Sequence, residues 1–186
     1  HIPEEDMWLE CTSSFQPVGS LDTEEYNKKV LVITPEGGVI ERIPALPSEY
    51  NQIITIDTLR LTEKIIIQGT RQYLGSTQDL VRILSYYLEP EERKEYFLKH
   101  FPLSVHKLDN FSTSVASPDE SFLNYKATLT QLGNKTGDRY FIPVNPIYLT
   151  SHLCTSRETD FISRDDLTRI NNIWIAIPEG YTIEHI

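Results

Sequence analysis

The chain has 186 residues, 39% of them hydrophobic and 24% charged, the balance of an ordinary folded protein with length for one substantial core or two small ones. Its net charge of -10 works against nonspecific binding to nucleic acid or anionic membrane, since both depend on cationic patches. No run of about 18 apolar residues occurs, so no membrane insertion is expected.

In chain order, the opening His1-Ile2-Pro3-Glu4 is neither a methionine start nor a hydrophobic leader, and it reads as an excised or processed piece. Trp8-Leu9-Glu10-Cys11-Thr12-Ser13 predicts a strand, with Trp8, Glu10 and Thr12 on one face and Leu9, Cys11 and Ser13 on the other. Val30–Thr34 and Val39–Ile43 flank Pro35-Glu36-Gly37-Gly38 and predict a hairpin. Pro44 and Pro47 deny ladder donors and place a boundary near residue 45, dividing the chain into 1–45 and 46–186.

Beyond that boundary the pattern is mainly β, of α+β class: an antiparallel, β-sandwich-like domain with a two-helix insert, preceded by the short strand and hairpin segment. Leu59 and Leu61 alternate with Thr58, Arg60 and Thr62, and Ile65-Ile66-Ile67 reads as a strand covered on both sides. Helices are expected near 76–88 and 90–100. Leu80, Ile83, Leu84, Tyr87 and Leu88 keep the spacing of one apolar face, and Ser76 with Asp79 suggests a capping box. Pro90, Glu91 and Glu92 open the second helix, Lys99 and His100 suit its end, and Tyr96, Phe97 and Phe101 offer a stripe to a sheet. Ser112–Ser121, polar and containing Pro118, reads as a mobile loop. Leu123–Thr130 is the clearest strand, with Leu123, Tyr125, Ala127 and Leu129 facing the core. A turn at Gly133–Gly137 leads to a strand over Arg139–Val144. The last pair expected is Ile173–Ile177 and Tyr181–Ile186 around Pro178-Glu179-Gly180.

Little in the sequence carries chemistry. Cys11 and Cys154 are too few for a disulfide framework and pair only if their Cα atoms come within about 7 Å. His152-x-Cys154 is too sparse for zinc, so no metal and no cofactor is expected. His100, His106, His152 and His185 lack partner spacing, and Gly37-Gly38 opens no helix that would cradle phosphate. Asn110-Phe111-Ser112 and Asn134-Lys135-Thr136 match the glycosylation tripeptide, a pattern that also occurs by chance. Glu10 is the one candidate catalytic residue. In a Cys–His–acid site a carboxylate orients the imidazole that serves the thiolate. Cys11 is a poor nucleophile there, because the neighbouring acid disfavours its thiolate.

The order Trp8-Leu9-Glu10-Cys11-Thr12-Ser13, Pro17-Val18-Gly19, then Val30-Leu31-Val32-Ile33-Thr34-Pro35-Glu36-Gly37-Gly38 resembles a family of bacterial multidomain transglutaminase-like proteins of papain-like fold. Arg157–Phe161 and Ile175–Glu184 resemble the closing strands of that family's C-terminal β-rich domain of unknown function. The resemblance implies that residues 1–45 are terminal strands of a transglutaminase-like core and that 46–186 are an accessory domain. It implies periplasmic or extracellular localisation and a catalytic cysteine and histidine upstream of this chain. Glu10 would be the third triad member at most. Where active relatives carry aspartate, Glu10 is one methylene longer, which displaces the carboxylate by more than about 1 Å.

The leading expectation is a noncatalytic accessory, binding or scaffolding domain, not itself an enzyme, whose partners are its own upstream core and a protein, peptide or glycan. One alternative makes it part of a cysteine-dependent transglutaminase or protease. The other is a carbohydrate-binding or adhesin-like sandwich in which Trp174, Tyr148 and Tyr181 stack on sugars.

Overall fold

The computed structural model describes residues 1–22, 24–143 and 167–184. Tyr148, His152, Cys154, Arg157–Phe161 and His185, singled out above, lie outside the described residues. A first hairpin pairs β1 (Lys29–Thr34) with β2 (Gly37–Arg42). Thr34 pairs with Gly37, so the loop is Pro35-Glu36, and Gly37 takes a φ of 133° that an L side chain resists.

The body is a five-stranded sheet built from β3 (Gln52–Leu61), β4 (Ile65–Leu74), β5 (Val105–Ser117), β6 (Glu120–Leu129) and β9 (Thr168–Ala176). Its order is β5-β6-β4-β3-β9, antiparallel throughout except for the parallel pair β3–β9. A separate short hairpin joins β7 (Asn134–Thr136) to β8 (Arg139–Phe141), so the residues expected to be turn at 134–136 are strand instead. The helices α1 (Asp79–Tyr87) and α2 (Pro90–His100) connect β4 to β5.

Alternation sets which face is covered. Leu123, Tyr125, Ala127 and Leu129 are buried, as are Leu59 and Leu61, and all pack with Ile67 on one face. Phe97 and Phe101 of the second helical segment close over Tyr125 with ring centroids 5.1 Å away in both cases. Each such aromatic or aliphatic side chain withdrawn from water contributes about 1.5–3 kcal/mol. Ile66 points to the opposite face and is only half-buried, so the isoleucine run is not covered on both sides. The β-rich α+β class read from the sequence is what forms. Its layers are a sheet and a helical pair, and among the described residues no second large sheet packs on the first.

Several local expectations are corrected. The Ser112–Ser121 stretch belongs to β5 and β6, with only Pro118-Asp119 as the turn between them. Its polar residues are those of an edge strand, where alternate side chains meet water. No strand forms over Trp8–Thr12, and Tyr181–Glu184 carries none either. Ser76 does not cap a helix: its hydroxyl donates to Asn51 Oδ1 at 3.0 Å, inside a 3-10 turn that precedes α1. The capping interaction falls on α2, where Glu92 accepts the Glu89 amide at 2.8 Å and Pro90 opens the first turn. The covered face of α1 is also rotated from the one expected. Val81, Arg82 and Leu84 are buried, whereas Leu80, Ile83 and Tyr87 are exposed.

Candidate functional site

Glu10 sits in an irregular turn. Its Oε1 accepts hydrogen bonds from the Thr12 hydroxyl at 2.5 Å, from the Thr12 amide and from the Ser13 amide at 3.1 Å. The Thr12 hydroxyl, then these amides, hold the carboxyl below the ordinary glutamate range, against a smaller opposing effect of desolvation. A side chain gripped within three residues of itself forms a stable carboxylate, and all three of these bonds fall on Oε1. Cys11 beside it is an exposed, free thiol. Trp8, expected on the Glu10 face of a strand, stacks instead on His1 with ring centroids 4.2 Å apart.

The segment after Glu10 is tied into the body of the fold. Gln16 Nε2 donates to Asp79 Oδ1 at 2.8 Å, and its Oε1 accepts from Arg82 Nη1 at 3.0 Å. Arg82 also pairs with Asp79 at 3.4 Å and donates through Nη2 to the Pro118 carbonyl. Its side chain is only 4% exposed, which a guanidinium tolerates when its donors are matched. Gln78 shares the Pro118 carbonyl at 3.2 Å and accepts from Ser121 at 2.9 Å. Phe15 lies 6.2 Å from Tyr87 and 6.5 Å from Tyr86, centroid to centroid. None of this was legible in the sequence, because Gln16, Asp79, Arg82 and Pro118 come from three separated segments.

A second polar cluster lies inside the sheet. Asp57, Gly69 and Tyr125 are consecutive partners across β3, β4 and β6. Tyr125 donates its hydroxyl to Asp57 Oδ1 at 2.5 Å, while Asp57 Oδ2 has no hydrogen-bond partner among the described residues. Burial pushes the Asp57 carboxyl above the ordinary aspartate range, opposed by the Tyr125 hydrogen bond and the Arg71 charge. The Arg71 guanidinium lies 5.7 Å from the Phe101 and Tyr125 ring centroids.

An apolar cavity of about 460 Å³ opens at the C-terminal ends of β3 and β9, lined by Leu61, Tyr140, Ile173, Ile175, Tyr181 and Ile183. Arg139 and Glu184 pair at its rim at 3.3 Å. Tyr181 meets Tyr140 edge-on there, and Trp174 is not among the residues that line the cavity. His100 stacks on Tyr96 and bonds its carbonyl through Nδ1 at 2.8 Å, a local helical contact. No group of three or more His, Cys, Asp and Glu side chains able to hold a metal occurs among the described residues, and none of their helices is long and apolar enough to cross a membrane.

No protein-family model, curated protein or solved structure matches the chain.

Proposed function

We propose that this chain is a noncatalytic accessory domain that scaffolds a transglutaminase-like core of the same protein, in the periplasmic or extracellular setting that the resemblance implies. The observation that carries this reading is the β1–β2 hairpin. Leu31, Ile33 and Ile40 share one of its faces and stand open to water, Ile33 at 75% exposure. A two-stranded ribbon with an uncovered apolar face is not stable by itself, and it gains stability by packing against another body. The hairpin belongs to the part of the sequence that resembles the end of a transglutaminase-like core, so that core is the partner proposed. Glu10, held below the ordinary glutamate range through bonds to Oε1, fits the role of the carboxylate that such a core's histidine would meet.

The test uses the 186-residue chain and the parent protein's own transglutaminase-like core, expressed separately. The two are expected to form a complex in analytical ultracentrifugation, and Leu31→Lys with Ile33→Lys should abolish it. The chain alone should show no acyl-transfer or peptidase turnover. Absence of a complex would remove the scaffolding reading, and turnover by the chain alone that disappears in Glu10→Ala would replace it with an enzymatic one.

A further inference from the structure

We propose that the Gln16–Asp79–Arg82–Pro118 cluster is a clamp through which the sheet-and-helix body positions the Glu10 segment, with Gln16 as the positioning residue. The inference rests on the reading of Glu10 as the carboxylate offered to a core, and it adds what sets that carboxylate's place.

The geometry supplies a continuous path. Glu10 is fixed to Thr12 and Ser13, and the Ser13 hydroxyl accepts the Phe15 amide at 3.4 Å. Phe15 then packs near Tyr86 and Tyr87 at the end of α1, and Gln16 enters the buried polar cluster at its start. Beyond the clamp, the Ser20 amide donates to the Pro17 carbonyl at 3.1 Å and Leu21 is buried. The segment is therefore anchored on the body from Phe15 to Leu21, although Trp8–Thr12 pairs with no strand among the described residues.

Gln16 suits this task because its amide carries both a donating nitrogen and an accepting oxygen, and the cluster uses both. Its amide nitrogen meets the carboxylate of Asp79 while its oxygen meets the guanidinium of Arg82. A glutamate there would face Asp79, and a lysine would face Arg82, so only a neutral side chain with both functions bridges the ion pair. Arg82 in turn reaches the β5–β6 turn through the Pro118 carbonyl. A shift of α1 or of that turn would thus be passed to the residue six positions from Glu10.

The experiment compares the native chain with Gln16→Ala, which leaves the Arg82–Asp79 and Arg82–Pro118 contacts in place and so keeps the body folded. Val18→Ala, at a side chain 83% exposed, is the control. Hydrogen exchange by NMR reads the Thr12, Ser13, Ser20 and Leu21 amides, and a carbon-detected titration reads the Glu10 carboxyl. In Gln16→Ala these four amides should exchange about tenfold faster or more, while β4 and β6 amides stay unchanged. The Glu10 titration should move up toward the ordinary glutamate range, and Val18→Ala should change neither. Unchanged exchange at Thr12 and Ser13, or an unmoved Glu10 titration, overturns the clamp. No core is present in this experiment, so its failure is separate from failure of complex formation or of the scaffolding reading.

Discussion

Asp57 stands fully buried, with 0% exposure, in the middle of a sheet face given mostly to leucine, isoleucine and aromatic rings. A carboxyl in that position is poorly solvated when charged, and the Tyr125 hydroxyl supplies one hydrogen bond where water would supply several. Its folded pKa is raised, so the folded chain holds that proton more tightly than the unfolded chain does. Stability from this site is fully present below the unfolded aspartate range, near pH 4, and is lost as pH rises through the raised folded value. Arg71 is the charged group that faces it from β4, Tyr125 the titratable one from β6, and β9 presents Ile173 opposite. Asp57→Asn keeps the acceptor and cannot ionise. Urea midpoints measured between pH 4 and pH 8 should therefore fall for the native chain relative to Asp57→Asn, and parallel curves would contradict this account. Gly69 completes the arrangement, since a Cβ there would lie 1.9 Å from Asp57 Oδ1 and 2.6 Å from the Tyr125 ring. Gly69→Ala should cost about 1–3 kcal/mol or more in the same urea experiment, through overpacking. The sequence held a sign of this site. Counting back by twos from Leu59 puts Asp57 and Thr55 on the core face, whereas the more hydrophobic Ile54 and Ile56 draw the eye to the wrong one.

At the scale of elements, the first helix shows how an accurate period can carry the wrong face. Leu80, Ile83, Leu84 and Tyr87 do lie on one side of a helix, as their spacing requires, although Leu88 falls past its end, and α1 forms over Asp79–Tyr87. The helix nevertheless turns Val81, Arg82 and Leu84 inward. Arg82 finds three acceptors in Gln16, Asp79 and Pro118, and a matched guanidinium shielded by protein outweighs the modest gain from burying Ile83 instead. That preference depends on a turn 36 residues away, which no local window contains. The strands of the body were easier to read because a period of two, once anchored by buried leucines, allows only one phase. β5 was harder, since its edge position leaves polar side chains in water and three register irregularities interrupt its alternation. The rotated helix is directly checkable. Leu84→Ala should destabilise the chain by about 2–4 kcal/mol in urea unfolding. Ile83→Ala, at a side chain 39% exposed, should cost less than about 1 kcal/mol. Equal losses would restore the face that the spacing alone suggests.

For the whole molecule, the question is which surfaces this chain leaves unfinished. The base of the first hairpin is rooted: Ile43 is buried, and its amide donates to the Lys28 carbonyl at 2.9 Å. From there outward the ribbon presents Leu31, Ile33 and Ile40 to solvent, and Gly38 adds no side chain to shield them. Apolar area of this kind contributes nothing to the folding of the chain alone, because it is wet in both the folded and the unfolded states. Its removal should therefore leave unfolding almost unchanged while altering association. Leu31→Lys with Ile33→Lys is expected to shift the urea-unfolding free energy by no more than about 0.5 kcal/mol. In sedimentation at increasing concentration the same variant should stay monomeric where the native chain self-associates, since two like-charged ribbons repel and offer no apolar contact. A variant that unfolds would mean that this face is packed within the isolated chain. A native chain that stays monomeric at every concentration would mean that the exposed ribbon is not adhesive, and with that the physical basis for its docking onto a core would be gone.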